Sequence, residues 1–342
     1  MAHIVVIGAG SVGGLFAALL AQHGHAVTVL ARGQALHAID RLGLRVSEPH
    51  RELHVATGIH AVPALDDVQL ADIVLVCVKS WQVDDAAIQA APVIAGHTVV
   101  VPVQNGVDAG DRLAARLSRS HTVGGVCTVF AERLGPASFA RHGEPPSLVI
   151  GRLAHAESGS DRIAEAAAML TQAGIRTQVS PDIRRDLWRK LMFIASFGGV
   201  AALADATAGA IRSRTHTRAL FHSALCEVAT VAHASSVEVD DDDVADALAK
   251  LDACEPGSTA SMMRDLAAGK PSELFDQTGA VVRNGERLGV PTPTHTMIYN
   301  TLLPRELANR SSAWRSSPPD DENLDSLGDQ GHYGPKPGVE SA

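Results

Sequence analysis

The feature that most constrains this chain is its N-terminal stretch, where an apolar run ends in Gly8-Ala-Gly-Ser-Val-Gly13. The run is typical of a buried parallel strand, and the apolar segment after the glycines is typical of a helix. The first glycine allows a sharp turn, the second leaves room for a pyrophosphate, and the third lets the helix lie close to the strand. With a second strand at Ala26–Leu30, the pattern favours dinucleotide binding over a glycine-rich turn without a ligand. The predicted cofactor contacts in this turn are Gly8, Gly10, Ser11, Val12 and Gly13.

The residues after the second strand indicate which nicotinamide cofactor is bound. In folds that prefer NAD, an Asp or Glu roughly twenty residues past the glycines binds the ribose hydroxyls. No acidic residue occurs between Thr28 and Gln34, and Arg32 stands there instead. A guanidinium can bind a 2′-phosphate through two hydrogen bonds, so the sequence favours NADP over NAD. The alternative is a solvated surface arginine.

Polar residues also follow two later runs that have the composition of buried parallel strands. Lys79 and Gln82 follow the run that begins at Ala71, and Asn105 follows the run Thr98–Val103. The carboxyl ends of parallel strands face the ligand in such sheets. We therefore predict that Lys79 and Gln82 contact the cofactor and that Asn105 lies at the ligand, although an Asn-Gly turn can also be a plain loop.

Strand and helix patterns alternate as far as Pro181, and helical patterns alone follow. The sequence predicts an α/β chain with a Rossmann-type NADP-binding domain at residues 1–181 and an all-α substrate and dimerisation domain at residues 182–310. Residues 311–342 are rich in Ser, Pro, Asp and Gly, and we predict a disordered tail, or one ordered only by another subunit. Further strands of the first domain are predicted at 42–46, 52–57, 123–130 and 147–151, the last two joined by a Gly/Pro-rich turn. Helices of the second domain are predicted at 184–204, 218–235, 241–251, 259–269 and 274–288.

Charge and cysteine content narrow the range of partners. The formal net charge is −9 and no segment is dense in Lys or Arg, which disfavours nucleic acid and anionic membranes. The four cysteines lie far apart without metal-ligand spacing, so we predict no metal site. Because the N-terminus shows no leader pattern, we expect a cytoplasmic protein whose partner is a small molecule.

Several motifs, in order over residues 3–305, resemble those of the ketopantoate reductase (2-dehydropantoate 2-reductase) family. They are Gly8-x-Gly10-x-x-Gly13-Gly14, Val78-Lys-Ser-Trp-Gln82, Val103-Gln-Asn-Gly106, Leu187-Trp-Arg-Lys190-Leu, Ser261-Met-x-x-Asp265 with Glu273 after it, and Gly289-Val-Pro-Thr-Pro293. The resemblance implies NADPH-dependent reduction of a 2-oxo acid or related carbonyl compound, in a cleft between the two domains.

The resemblance also assigns roles to individual residues. Lys190 matches the family's general acid, and Asn105 matches an asparagine beside the nicotinamide and the substrate. Ser261 matches a contact to the substrate carboxylate, and Glu273 matches the carboxylate that positions the lysine or the substrate oxygen. Hydride addition to a ketone leaves negative charge on its oxygen, which an ammonium group can both stabilise and protonate. The matched cofactor positions are Arg32, Lys79 and Gln82.

Three expected substrate positions depart from the family pattern. Members that reduce ketopantoate usually carry asparagines one and two helical turns after the lysine, where this chain has Ile194 and Gly198. The position three before Ser261, often asparagine, is Ser258. A site that binds its substrate through amide groups discriminates against ligands that leave those amides without hydrogen bonds. Loss of the amides should therefore change which substrate is preferred. We predict a substrate pocket that is roomier and more apolar than one for ketopantoate.

Two alternatives to a reductase of altered specificity remain open from the sequence. A protein of this fold can bind NADP without net redox chemistry, as a sensor or as a scaffold for a different reaction. An amino-acid or imine reductase on a similar two-domain plan fits the motifs less well. The joint presence of Lys190, Ser261 and Glu273 favours the reductase. The helical domain is also a candidate for the contact surface of a homodimer.

Overall fold

The structure is a computed structural model that describes residues 1–49, 51–55, 57–153 and 160–316. Its strands are β1 (His3–Ile7), β2 (Ala26–Leu30), β3 (Leu44–Glu48), β4 (Arg51–Val55), β5 (Ile59–Val62), β6 (Ile73–Val76), β7 (Val99–Pro102), β8 (Val123–Gly135), β9 (Ser138–Arg152) and β10 (Arg176–Val179). Its helices are α1 (Ser11–Gln22), α2 (Gly33–Leu42), α3 (Val83–Ala90), α4 (Ala109–Leu117), α5 (Ser160–Gln172), α6 (Ile183–Ala204), α7 (Ala208–Ser213), α8 (Thr215–Ala234), α9 (Asp241–Ala253), α10 (Ser261–Ala267), α11 (Thr278–Leu288) and α12 (Pro293–Ser316).

A parallel sheet in the order β5-β2-β1-β6-β7 carries the N-terminal glycine turn. In its central strand β1, all residues after His3 are buried, as expected for a strand covered on both faces. Because β1, β6 and β7 are neighbours and run in the same direction, their carboxyl ends meet at one edge of the sheet. The predicted combination of a Rossmann-type domain with a helical domain is confirmed.

A second sheet has the order β10-β9-β3-β4, with β8 paired to β9. The predicted strands at 123–130 and 147–151 are parts of one long antiparallel hairpin of β8 and β9, whose tight turn at Pro136 and Ala137 lies within the stretch predicted to turn. Both strands are longer than predicted. Residues 143–146, which hold both prolines of Gly-Glu-Pro-Pro, form a bulge where the register of β9 on β8 shifts. Prolines are tolerated in such a bulge because they need not donate a ladder hydrogen bond there.

The helical domain contains every predicted helix and two that the sequence analysis missed, α7 and α12. Helix α12 begins with Pro293 in its first turn, a favourable position, and continues past Pro304 to Ser316. A proline within an apparent helix normally indicates its end, which is why this helix was overlooked. Since α12 extends beyond 310, the predicted start of the tail at 311 is wrong, and residues 317–342 lie outside the described part.

Helix α6 connects the two domains directly after β10. A Cβ added at Gly124 of β8 would lie 2.7 Å from Ile183 Cγ1, so the start of α6 lies very close to this strand. By length and composition α6 could cross a membrane, but 67% of its most apolar window is buried inside the protein, as in the core helix of a globular domain. Its close contact with β8 fixes where the side chains of α6 stand relative to the first domain.

Candidate active site

The glycine turn joins β1 to α1 and forms one wall of a cavity. Gly8 has a φ of +105°, which residues with a side chain rarely adopt. A Cβ added at Gly13 would overlap the Gly8 carbonyl oxygen, so the helix can approach the strand this closely only with glycine there. A Cβ added at Gly10 would meet no atom within 4 Å, because this residue faces open space. The turn therefore leaves room at the N-terminus of α1, where free N–H groups can bind an anion.

A cavity of about 560 Å³ lies between the glycine turn and the helical domain. Ser261 and Glu273 of the helical domain line it, opposite the parallel sheet. The predicted cofactor residues that line it are Gly8, Gly10, Ser11, Val12, Arg32, Lys79, Gln82 and Asn105. The predicted site residues that are not among the described lining residues are Gly13, Lys190, Ile194, Gly198 and Ser258.

Glu273 is the buried carboxylate of the cavity wall, with 8% of its surface exposed. Asn105 Nδ2 donates a hydrogen bond of 2.8 Å to Glu273 Oε2, which joins the end of β7 to the helical domain. Gln277 Nε2 donates to the same oxygen at 3.3 Å. The structure thus brings Asn105 and Glu273 into direct contact and adds Gln277, which the sequence analysis missed.

Lys190 stands on α6 beside β8. Its Nζ donates a hydrogen bond of 2.6 Å to the backbone carbonyl of Cys127, a residue that lines the cavity. Burial lowers the pKa of Lys190, and the negative charge of Glu273 acts in the opposite direction. Burial raises the pKa of the Cys127 thiol to about 11, so the thiol is neutral near pH 7 and adds no charge. Lys190 is therefore a poorly solvated amine directly behind the cavity wall.

The segment between two cofactor-lining residues also contacts the helical domain. Ser80, which lies between Lys79 and Gln82, donates from Oγ to Asp276 Oδ2 at 2.6 Å. Lys79 Nζ lies 3.4 Å from Asp265 Oδ2. These two contacts span the domains beside the cavity, so the strand-end residues that line it are held against the helical domain.

The altered substrate positions lie within the helical domain rather than on the cavity surface. A Cβ added at Gly198 would lie 3.1 Å from Met262 Cε and 3.6 Å from Gln277 Oε1. The expected extra room is therefore absent at this position, because the buried Met262 side chain occupies it. Ile194 packs against the helical core, and the Ser258 carbonyl accepts a backbone hydrogen bond from the start of α7. The surroundings of Ile194 are apolar, whereas Gly198 has both an apolar neighbour, Met262, and a polar one, Gln277.

The lining residues that the sequence analysis missed include Phe130, Arg133 and Arg264. Arg264 follows Ser261 by one turn of α10, and this i, i+3 spacing is a signal that could have identified it. Its Nη1 donates to the Thr259 carbonyl at 2.8 Å, which fixes the guanidinium on that face. With Arg32 and Lys79, these arginines outnumber the carboxylates of Asp85 and Glu273 in the lining, which suits the cavity to a ligand that carries negative charge.

Comparison with known proteins places this geometry in a family. Residues 4–155 match the family described as Ketopantoate reductase PanE/ApbA, and residues 182–306 match its C-terminal counterpart. A 2-dehydropantoate 2-reductase of Halobacterium salinarum is 30% identical over 292 residues, which cover 85% of this chain and 94% of that protein. The chain belongs to the ketopantoate reductase family. The resemblance that its motifs indicated is therefore confirmed.

Solved ketopantoate reductases have the same fold over nearly their whole length. The crystal structure of a PanE/ApbA family ketopantoate reductase from Ralstonia eutropha has a TM-score of 0.80 and 31% identity, covering 90% of this chain and 99% of that one. A D-mandelate dehydrogenase solved with NADH and anilino(oxo)acetate has a TM-score of 0.80 at 20% identity, covering 90% of this chain and 99% of that one. The second likeness concerns the fold alone.

Proposed function

We propose that this member of the ketopantoate reductase family reduces a 2-oxo acid to the 2-hydroxy acid with NADPH. The observation that carries the proposal is the grouping of Lys190, Glu273 and Asn105 beside a cavity that begins at a glycine turn. The residues fit the cofactor, because Gly10 leaves free space beside the N-terminus of α1 and Arg32 lines the same cavity. When bound, the nicotinamide ring supplies the hydride.

Side chains of the protein stabilise the charge that develops on the substrate oxygen and supply the proton. The Lys190 ammonium stabilises the negative charge that develops on the substrate oxygen and donates a proton to it. An ammonium has three N–H groups, so Lys190 can keep its bond to the Cys127 carbonyl and still donate to the substrate. Glu273, held by Asn105, maintains a negative charge near Lys190 that offsets the effect of burial. Ser261 donates a hydrogen bond to the substrate carboxylate.

Cofactor preference is proposed to depend on Arg32. We expect Arg32→Asp to weaken NADPH binding by roughly tenfold to a hundredfold, because it removes a charge-assisted hydrogen bond to the 2′-phosphate. NADH binding should change far less. Arg32 precedes the first residue of α2, a position that aspartate favours, so the helix should persist. The measurement is fluorescence titration with both cofactors.

Arg41→Asp is the matched control, since Arg41 is an exposed residue in the last turn of the same helix. It makes the same charge change away from the cavity and should leave both affinities close to those of the parent protein. Equal losses of NADPH and NADH affinity in Arg32→Asp would contradict the role of this residue in selecting the phosphate.

A panel of 2-oxo acids tests the proposed reaction and its selectivity. With Ile194 and Gly198 in place of amides and Met262 beside Gly198, we expect 2-oxo acids with apolar side chains, such as phenylpyruvate, to exceed ketopantoate in kcat/KM by about tenfold or more. The measurement is NADPH oxidation at several concentrations of each acid. If no acid in the panel is reduced, the reductase proposal fails. If ketopantoate has the highest kcat/KM, the altered positions do not set selectivity.

A further inference from the structure

A glutamine at the start of α11 lies close to the position where the family's usual substrate amide is missing. Gln277, the residue directly before α11, is 2% exposed, and its side chain reaches towards Gly198, with Oε1 3.6 Å from the position that a Cβ there would take. Gly198 lies two helical turns after Lys190, where members that reduce ketopantoate usually carry asparagine. A side-chain amide is thus present near this point, but it comes from the start of α11.

The orientation of the Gln277 amide is determined by its partner. A carboxylate only accepts hydrogen bonds, so the amide nitrogen has to face Glu273 and the amide oxygen has to face Gly198. The backbone N–H of Gln277 also donates to the Glu273 carbonyl at 2.9 Å, so the two residues share one helical turn. The amide therefore has little freedom to turn away from the carboxylate.

Glu273 receives two amide donors on one oxygen. Asn105 Nδ2 and Gln277 Nε2 both donate to Oε2, at 2.8 Å and 3.3 Å, from opposite domains. Among the described residues, no hydrogen bond reaches Oε1. Two donors on the same atom fix the plane of the carboxylate and leave the other oxygen available to Lys190 or to a ligand.

We propose that Gln277 is a positioning residue that supplies, from the segment before α11, the side-chain amide that is absent at position 198, and that it holds the Glu273 carboxylate in place at the cavity wall. This inference rests on the proposed function, since it concerns the same pocket. It explains how the chain can lack an amide on α6 and still hold one oxygen of the buried carboxylate by donors from both domains.

The test compares variants that move or remove the amide. Gln277→Leu and Gln277→Met both remove it, and each should lower kcat/KM for the best 2-oxo acid by roughly tenfold to a hundredfold, with NADPH affinity unchanged. The double variant Gln277→Ala with Gly198→Asn returns an amide from α6 into the space vacated by glutamine, and most of the loss should be recovered. Asn284→Leu is the matched control, because Asn284 is a half-buried residue of α11. Its side-chain amide donates to the Ala280 carbonyl and accepts a hydrogen bond from Arg287.

A binding measurement separates this inference from the proposed reaction. Anilino(oxo)acetate is a 2-oxo acid analogue whose amide carbonyl resists hydride addition, and its affinity for the NADP-loaded protein can be measured by calorimetry without turnover. We expect the affinity to fall by roughly tenfold in Gln277→Leu and Gln277→Met and to stay constant in Asn284→Leu. An inactive parent protein that binds the probe in this Gln277-dependent way would refute the reductase but support the role of Gln277.

The inference is overturned if the Gln277 variants match the parent protein in probe affinity and kcat/KM. It is equally overturned if a folded double variant, checked by circular dichroism, recovers neither quantity, since Gln277 would then support the fold alone. If the double variant does not fold, the comparison of Gln277→Leu with Gln277→Met tests the inference. Equal losses of kcat/KM and probe affinity in both would support it, whereas a loss in only one of them would indicate a packing effect and overturn it. Failure of the parent protein to bind the probe would refute both proposals.

Discussion

Replacing Lys190 with alanine is expected to slow single-turnover reduction of a 2-oxo acid by roughly a hundredfold to ten-thousandfold. The substitution removes the proton donor and, with it, the positive charge that stabilises the developing oxyanion. NADPH affinity should change little, because Lys190 belongs to α6 and is not among the described residues that line the cavity. The measurement is stopped-flow single turnover and NADPH titration on the same variant.

Two further variants separate loss of the acid from loss of packing. Lys190→Met keeps most of the aliphatic stem and should be as slow as Lys190→Ala. Lys250→Met is the control, because it makes the same exchange on α9, where the Lys250 Nζ lies 4.4 Å from the centre of the Phe193 ring. It should turn over within about twofold of the parent protein. If Lys190→Met reduces the substrate at the parental rate, Lys190 is not the general acid. If the variant no longer binds NADPH, Lys190 lies at the cofactor and the proposed position of the substrate cleft is wrong.

The pH profile identifies the acid independently. A general acid works only while it is protonated, and burial lowers the pKa of Lys190, opposed by Glu273. We therefore expect kcat/KM to fall as the pH rises, at a pH below the ordinary lysine pKa of about 10.4. This alkaline decline should be absent from Lys190→Met. If kcat/KM of Lys190→Met declines at the same pH as that of the parent protein, the decline is caused by the titration of another group.

Adding a methyl group at Gly10 should reduce NADPH affinity by roughly a hundredfold or more while the protein stays folded. A Cβ at this position meets no protein atom within 4 Å, so the fold has nothing to displace. The methyl group projects into the cavity beside the N-terminus of α1, where the pyrophosphate is expected to approach the backbone. Fluorescence titration measures the affinity, and urea unfolding measures the stability.

Gly13→Ala provides the contrasting case on the same turn. Its Cβ would overlap the Gly8 carbonyl oxygen, so β1 and α1 have to move apart, and we expect a loss of about 1–3 kcal/mol or more in the free energy of unfolding. Stability should thus separate the two variants, although both should bind NADPH poorly. Parental NADPH affinity in Gly10→Ala would show that the turn does not hold the pyrophosphate.

The sequence predicts those parts of the site that follow from local chain geometry. The glycine turn was recognisable because an apolar strand precedes it and an apolar helix follows it, and the places of Lys79 and Asn105 follow from strands that end at one edge of a sheet. The contact of Asn105 with Glu273 could be expected only from the family resemblance, since it joins residues of opposite domains.

The remaining features depend on how separate elements pack, which a single sequence does not encode in a local pattern. Met262 fills the space beside Gly198 because α10 lies against α6, so the extra room predicted from the missing side chain at position 198 is absent there. Gln277 was missed for the same reason. The full length of β9 was missed because two adjacent prolines are usually a sign of a loop, whereas here a bulge accommodates them.

The bond between Lys190 and the carbonyl of Cys127 has a consequence for how such an enzyme can diverge. The acceptor is a main-chain atom, so substitution of the residue at position 127 does not remove it. That position can therefore accept other side chains of similar size. Insertion of one residue into β8 would instead turn the carbonyl to the opposite face of the strand. Redesign of the pocket can therefore vary residue 127 but has to preserve the length of β8 up to that point.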